Sequence, residues 1–218
     1  MSARDKLKVG IVPVTPFQQN CSIVRCEATG KAAIVDPGGD LEDILSAVAE
    51  MEATPEKILV THGHLDHAGG VAELAERLGI PVEGPHREDA FLLETMASQA
   101  RMFGFGSARG FTPDRWLEQG DEVKVGELVF EVRHCPGHTP GHVVFVLAEA
   151  KLAFVGDVLF QGSIGRTDFP RGDLRTLLDS IATQLLSLDD DTAFVSGHGP
   201  TSTIGRERRT NPYLDEIV

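Results

Sequence analysis

The chain has 218 residues, 41% hydrophobic and 24% charged, a size and balance that predict one globular domain spanning residues 1–218. Its 33 acidic residues outnumber its 20 basic ones, and the resulting net charge of −13 argues against general binding to a phosphate backbone. No apolar stretch approaches the ~20 residues of a membrane-spanning helix, and the polar opening, Met1 to Lys8, has no apolar leader. The expectation is a cytoplasmic protein with neither nucleic-acid nor membrane partners. Cys21, Cys26 and Cys135 are odd in number and lack CxxC spacing, so they read as buried or idle thiols rather than a disulfide framework.

In chain order, Ser22 to Cys26 and Ala32 to Val35 predict a strand hairpin around the turn Ala28-Thr29-Gly30-Lys31. Asp36-Pro37-Gly38-Gly39 ends it, and Asp40 is placed to cap a helix with Leu41, Ile44, Leu45 and Val48 on one face. Lys57 to Val60 predicts a short buried strand leading into Thr61-His62-Gly63-His64-Leu65-Asp66-His67. A helix bearing Val71, Leu74, Ala75 and Leu78 then stops at Gly79. A further helix is expected near Glu88 to Met102. Strands follow at Glu122 to Val125, Leu128 to Arg133, His142 to Leu147 and Leu152 to Val155. Asp173 is placed to cap a helix carrying Leu174, Leu177, Leu178, Ile181 and Leu185, and Ala193 to Val195 reads as a last strand. Two batches of strands with their helices predict an α/β fold in which two sheets pack together under outer helices.

Chemistry gathers at strand ends. His62, His64, Asp66 and His67 follow one strand; His134, His138 and His142 surround a Pro-Gly turn; Asp157 and His198 each follow another strand. Imidazoles and carboxylates are the donors of a zinc or first-row metal site, and strand-end loops can converge on one sheet edge. His62 and His64 lie on one side of an extended segment, with Asp66 and His67 a turn further on, so the four can serve two adjacent ions. Asp157 is the best candidate to bridge them.

The pattern His-x-His-x-Asp-His, followed by Pro-Gly-His-Thr, Gly-Asp and Gly-His, resembles the metallo-β-lactamase superfamily from about Val12 to Asn211. The resemblance implies an αββα sandwich of two mixed sheets. It places a first metal on His62, His64 and His138, a second on Asp66, His67 and His198, and Asp157 between them. Two divalent ions per chain are implied, with zinc the default and iron or manganese compatible. Asp36 matches a residue that braces the metal loops, although an ordinary turn Asp would look the same. His134 and His142 fall outside the matched positions: His142 reads as a supporting or core residue, and His86 as solvated.

Within the superfamily, Gly162 to Asp173 looks most like glyoxalase II, the hydroxyacylglutathione hydrolases. Pro13 to Cys21 and Gly197 to Thr203 resemble its short, single-domain bacterial branch, which lacks the helical domain of the longer enzymes. The implied reaction is hydrolysis of an S-acylglutathione thioester, such as S-lactoylglutathione, by a metal-bridging hydroxide beside the catalytic carboxylates Asp66 and Asp157. Arg166 matches a basic residue that meets a glutathione carboxylate. Arg206, Arg208 and Arg209 form a second basic cluster that reads equally well as a solvated helix face. Two alternatives stay open: a persulfide dioxygenase, which shares Gly-Arg-Thr-Asp-Phe (Gly165 to Phe169) and would use one iron, and a metal-binding module without turnover.

Overall fold

The computed structural model describes residues 6–106 and 108–215. The first sheet contains β1 (Leu7–Val14), β2 (Gln19–Cys26), β3 (Lys31–Val35), β4 (Thr54–Leu59) and, after the helices α1 (Leu41–Glu50), α2 (Leu65–Ala68) and α3 (Val71–Leu78), the short β5 (Val82–Glu83). Helices α4 (Ala90–Glu94) and α5 (Met96–Phe103) follow, and then β6 (Glu122–Val125), β7 (Leu128–His134), β8 (Val143–Leu147) and β9 (Leu152–Gly156). The chain closes with a small hairpin of β10 (Leu159–Phe160) and β11 (Ser163–Ile164), then α6 (Leu174–Ser180), β12 (Ala193–Ser196), β13 (Ser202–Thr203) and α7 (Ile204–Thr210). The second sheet runs β13-β12-β9-β8-β7-β6. Both sheets are mixed: β3, β4 and β5 are parallel neighbours in the first, and β12 and β9 in the second, while the remaining pairs are antiparallel.

Alternation along the strands divides the core into three layers. In β2 and β3, Ile23, Ala32 and Ile34 point outward to pack with Ile44 and Val48 of α1, Leu74 of α3 and Met96 of α5. Their neighbours Val24, Ala33 and Val35 point inward, where they meet Phe130, Val143, Phe145 and Phe154 of the other sheet. On the far side, Val144, Val146, Ala153 and Val155 pack under Leu177 of α6, Ile181, Leu185 and Ile204 of α7. This is the αββα sandwich, and strands buried on both faces explain why β8 reads as an unbroken apolar run.

Differences from the sequence reading have local causes. Asp40 precedes α1 but makes no capping bond, because its Oδ2 accepts the Thr15 N–H at 2.6 Å. The helix expected over Glu88 to Met102 is two helices, broken at Thr95, whose hydroxyl donates to the Phe91 carbonyl at 2.8 Å. The edge strand β1 starts within the segment read as a polar opening, whose first five residues lie outside the description. Asp173 does cap α6, accepting the Thr176 N–H at 2.7 Å. All three cysteines are buried and unpaired. Among the described residues, no helix is long and apolar enough to cross a membrane.

Candidate metal centre

The loops of both sheets meet along one edge of the sandwich. Beyond β4, His62 is fully buried, His64 stands just before α2, and Asp66 and His67 occupy its first turn. His138 comes from the loop between β7 and β8, Asp157 directly follows β9, and His198 lies just past β12. Two groups of donors result, {His62, His64, His138} and {Asp66, His67, His198}, the donor atoms of each lying within 4.8 Å of one another.

In the first group, His64 Nδ1 lies 3.0 Å from His62 Nε2 and 2.9 Å from His138 Nε2. In the second, Asp66 Oδ2 is 3.1 Å from His198 Nε2 and 3.8 Å from His67 Nε2. Asp157 reaches both: its Oδ2 is 3.6 Å from His138 Nε2 and 3.7 Å from His198 Nε2, and its Oδ1 is 3.3 Å from His67 Nε2. These placements bring together the seven residues that the sequence proposes as ligands, with Asp157 within reach of both groups. Crowding is severe at Gly197, where a Cβ would fall 2.1 Å from Asp157 Oδ1 and 2.5 Å from the His67 ring, so only glycine fits.

The two groups differ electrostatically. Burial, reinforced by neighbouring imidazoles, pushes His62 well below its ordinary pKa and His64 down to about 3, while burial also lowers His138. All three are therefore neutral near pH 7, the form that donates a lone pair to a metal. Burial opposes charge on His67 and His198 too, but the carboxylates of Asp157 and Asp66 outweigh it and raise both. Burial also raises the carboxyls of Asp66 and Asp157, yet the facing histidines hold both below the usual carboxylate range, so they stay anionic. His67 Nε2 and Asp157 Oδ1 are buried without a hydrogen-bond partner. Unpaired buried polar atoms are costly, and a metal cation between these two atoms, taking the place of any Nε2 proton, satisfies both. The donor set fits divalent metal ions.

Supporting residues fix the rings. Asp36 is buried at φ 52°, in the left-handed region. Its Oδ1 accepts the Thr61 N–H at 2.7 Å, and its Oδ2 accepts the Thr61 hydroxyl at 2.6 Å and His67 Nδ1–H at 2.9 Å, which turns Nε2 toward the other donors. His138 Nδ1 donates to the Arg166 carbonyl at 2.7 Å. His142 is buried, stacks on His62 with centroids 4.6 Å apart, and its Nε2 accepts the Asp157 N–H at 3.0 Å, so it fixes the backbone from which the Asp157 carboxylate projects.

Sequence reasoning missed two braces. Asp89, fully buried, accepts the Gly63 N–H at 2.9 Å, the Thr139 hydroxyl at 2.8 Å and the Gly141 N–H at 2.7 Å, tying the His62/His64 loop to the His138 loop. Asn20 Nδ2 donates to the carbonyls of Ser196 and Gly199 and so spans the His198 turn. Neither had a signal, because an Asp at a helix start and an Asn in a strand are ordinary. His86 corrects the expectation of a solvated side chain: it pairs with Glu118 and stacks on His134.

A cavity of about 570 Å³ opens over the centre, lined by His64, Asp66, His138, Asp157 and His198 at its base and by Phe17, Phe103, Phe160, Ile164 and Phe169 on its walls. Arg166 stands on its rim, in a bidentate pair with Asp168 at 2.7 and 2.9 Å and with its guanidinium 4.7 Å from the Phe169 ring centre. The second basic cluster is partly committed to structure, since Arg208 and Arg209 both pair with Asp190.

The profile of the metallo-β-lactamase superfamily matches residues 14–198. The hydroxyacylglutathione hydrolase GloC of Haemophilus influenzae is 48% identical over 96% of this chain and 99% of its own. Among solved structures, the BLEG-1 B3 metallo-β-lactamase superposes with a TM-score of 0.88 at 37% identity, over 95% of this chain and all of that one. A protein crystallised in a di-iron-bound form superposes with a TM-score of 0.85 at 40% identity, over 94% of this chain and all of that one.

Proposed function

The chain belongs to the metallo-β-lactamase superfamily, whose His/Asp sites hold divalent metal ions, and we propose that it hydrolyses the thioester of S-acylglutathione substrates of the S-lactoylglutathione kind. The observation that carries this reading is the pair of complete donor groups sharing Asp157 at the base of a cavity with apolar walls and one guanidinium on its rim. His62, His64 and His138 would hold one ion and Asp66, His67 and His198 a second, with Asp157 within reach of both. Zinc is the default for this donor set, while iron or manganese suits its oxygen ligands. When bound, such ions supply Lewis acidity for the carbonyl and lower the pKa of water toward neutrality.

The chain's own residues do the rest. Asp66 and Asp157, held as anions, keep cationic charge at the reacting centre and give up no proton near neutral pH. Phe160, Ile164 and Phe169 exclude water from the acyl side, and Arg166 meets a glutathione carboxylate once that group displaces Asp168. In hydrolysis a water oxygen bonds to the acyl carbon and the C–S bond breaks, one water proton ending on the sulfur and the other leaving to solvent, to give a carboxylate and a thiol. The leaving thiolate comes from a thiol of ordinary pKa ~8.5 and needs no strong acid, consistent with a cavity base made of ligands alone.

Similarity over nearly the full length of a hydroxyacylglutathione hydrolase supports this substrate class. The completeness of the Asp66, His67 and His198 group favours two ions over the single iron of a persulfide dioxygenase. Purified protein should release glutathione and hydroxy acid from S-lactoylglutathione without oxygen uptake. Sulfite formation from glutathione persulfide at far higher kcat/KM would overturn the proposal. The protein is expected in the cytoplasm, where glutathione is abundant.

A further inference from the structure

A second cluster of metal-binding side chains lies on the back of the His138 loop and shares no residue with the centre. His86, before α4, and His134, at the end of β7, stack with ring centroids 4.2 Å apart and planes inclined by 21°. One donor atom from each of His86, Glu88 and His134 lies within 4.8 Å of the other two. The tautomers follow from the outer partners. His86 Nε2 faces the Glu118 carboxylate at 2.9 Å, and His134 Nε2 faces the Pro140 carbonyl at 2.8 Å. Both partners only accept hydrogen bonds, so both rings carry their proton on Nε2 and Nδ1 is the lone-pair atom of each; that of His86 accepts a long bond from the Glu88 backbone N–H at 3.3 Å, which a bound ion would displace. An imidazole that donates its far N–H to a carboxylate or carbonyl is oriented as metal-bound histidines are. The Glu88 carboxylate comes within 4.0 Å of His86 Nδ1 on a side chain free to swing, and His86 itself is 15% exposed.

We propose that His86, His134 and Glu88 form a further site for a borderline divalent transition metal such as Zn(II), with Glu118 and the Pro140 carbonyl orienting the two rings. Two imidazoles and one carboxylate select zinc, nickel or copper over magnesium and calcium. Three protein donors at a solvent-facing position leave room for water, so binding is weaker and more exchangeable than at a closed structural site. Burial holds the His134 ring below its ordinary pKa, so little proton competition is expected there at neutral pH. An ion bound here would pin the loop of residues 135–142 from behind, because the His86 backbone N–H donates to the Gly141 carbonyl at 3.0 Å.

The test is equilibrium dialysis of the holoprotein against micromolar free zinc, with metal analysis of wild type, Glu88→Gln and His134→Asn. Glu88 is exposed, so Glu88→Gln leaves the fold intact, and thioester turnover reports that the main centre is loaded in each protein. The wild type should bind one equivalent more than either variant. Equal zinc in all three proteins would overturn the proposal. An error in the occupancy assigned to the main centre would shift all three alike and leave this difference untouched.

Discussion

Replacing Asp36 by Asn preserves shape and removes one acceptor from a carboxylate that serves three donors, the Thr61 N–H, the Thr61 hydroxyl and His67 Nδ1–H. The amide has two orientations. With its NH2 toward Thr61 N–H, two donors face each other and a buried backbone N–H loses its partner, at about 1–3 kcal/mol. With its NH2 toward His67, the Thr61 hydroxyl can turn to accept, but His67 must also accept at Nδ1, which moves the ring proton to Nε2 and removes the lone pair offered to the second ion. Restoring the ligand form costs a comparable amount. Either way the second ion should bind about 10- to 100-fold more weakly, equivalent to about 1.4–2.7 kcal/mol. The first ion, on His62, His64 and His138, should be nearly unaffected. Stepwise competition with a coloured chelator measures the two affinities separately, and turnover should fall with occupancy of the weaker site. Unchanged affinity for the second ion in Asp36→Asn would refute the reasoning and reduce Asp36 to a turn residue.

Asp157→Ala should release both ions or abolish nearly all turnover, since two cations would then face each other without the shared carboxylate; metal content and kcat measured on one sample check this, and near-normal turnover would move the bridge elsewhere. Arg166→Ala should raise KM severalfold with kcat little changed, because a contact far from the carbonyl acts alike in ground and transition states. Added salt should weaken the wild type more than this variant, and steady-state kinetics at two ionic strengths test both statements. Asp89 is pushed up to about 6 by burial, despite three hydrogen bonds that favour its charged form. The folded protein therefore takes up this proton before the unfolded chain does, and the group's contribution to stability falls as pH rises from about 4 to 6 and is level above. The stability difference between wild type and Asp89→Asn should move toward the wild type by about 1 kcal/mol between pH 7 and pH 5, measured by urea unfolding. A pH-independent difference would show that the carboxyl is not shifted.

The donor residues that the fold brings together were legible because metal chemistry restricts residue type and because their loops follow strands that apolar runs already mark. His62, Asp157 and His198 need only β4, β9 and β12 to be placed at a common edge. Asp89 was illegible for the opposite reason: its role depends on Gly63 and Thr139, 26 and 50 residues away, and nothing in Arg87-Glu88-Asp89-Ala90 distinguishes it from a solvated helix start. His86 misled in the same way, since only the fold sets it against His134 and Glu118. The edge strand β1 begins at Leu7 between two lysines, and only its pairing with β2 reveals it as a strand. The break at Thr95 has no glycine or proline to announce it.

The donors divide between the sheets: His62, His64, Asp66 and His67 hang from the first, and His138, Asp157 and His198 from the second. An ion held by either donor group would therefore rivet one half of the sandwich to the other, across a seam otherwise closed mainly by apolar packing around Phe130, Phe145 and Phe154. Binding to the closed arrangement alone makes free metal concentration a variable of folding, adding RT ln(1 + [M]/Kd) to stability for each ion. Where free metal is scarce, the two halves would be held across this seam by that apolar packing without the ions' contribution.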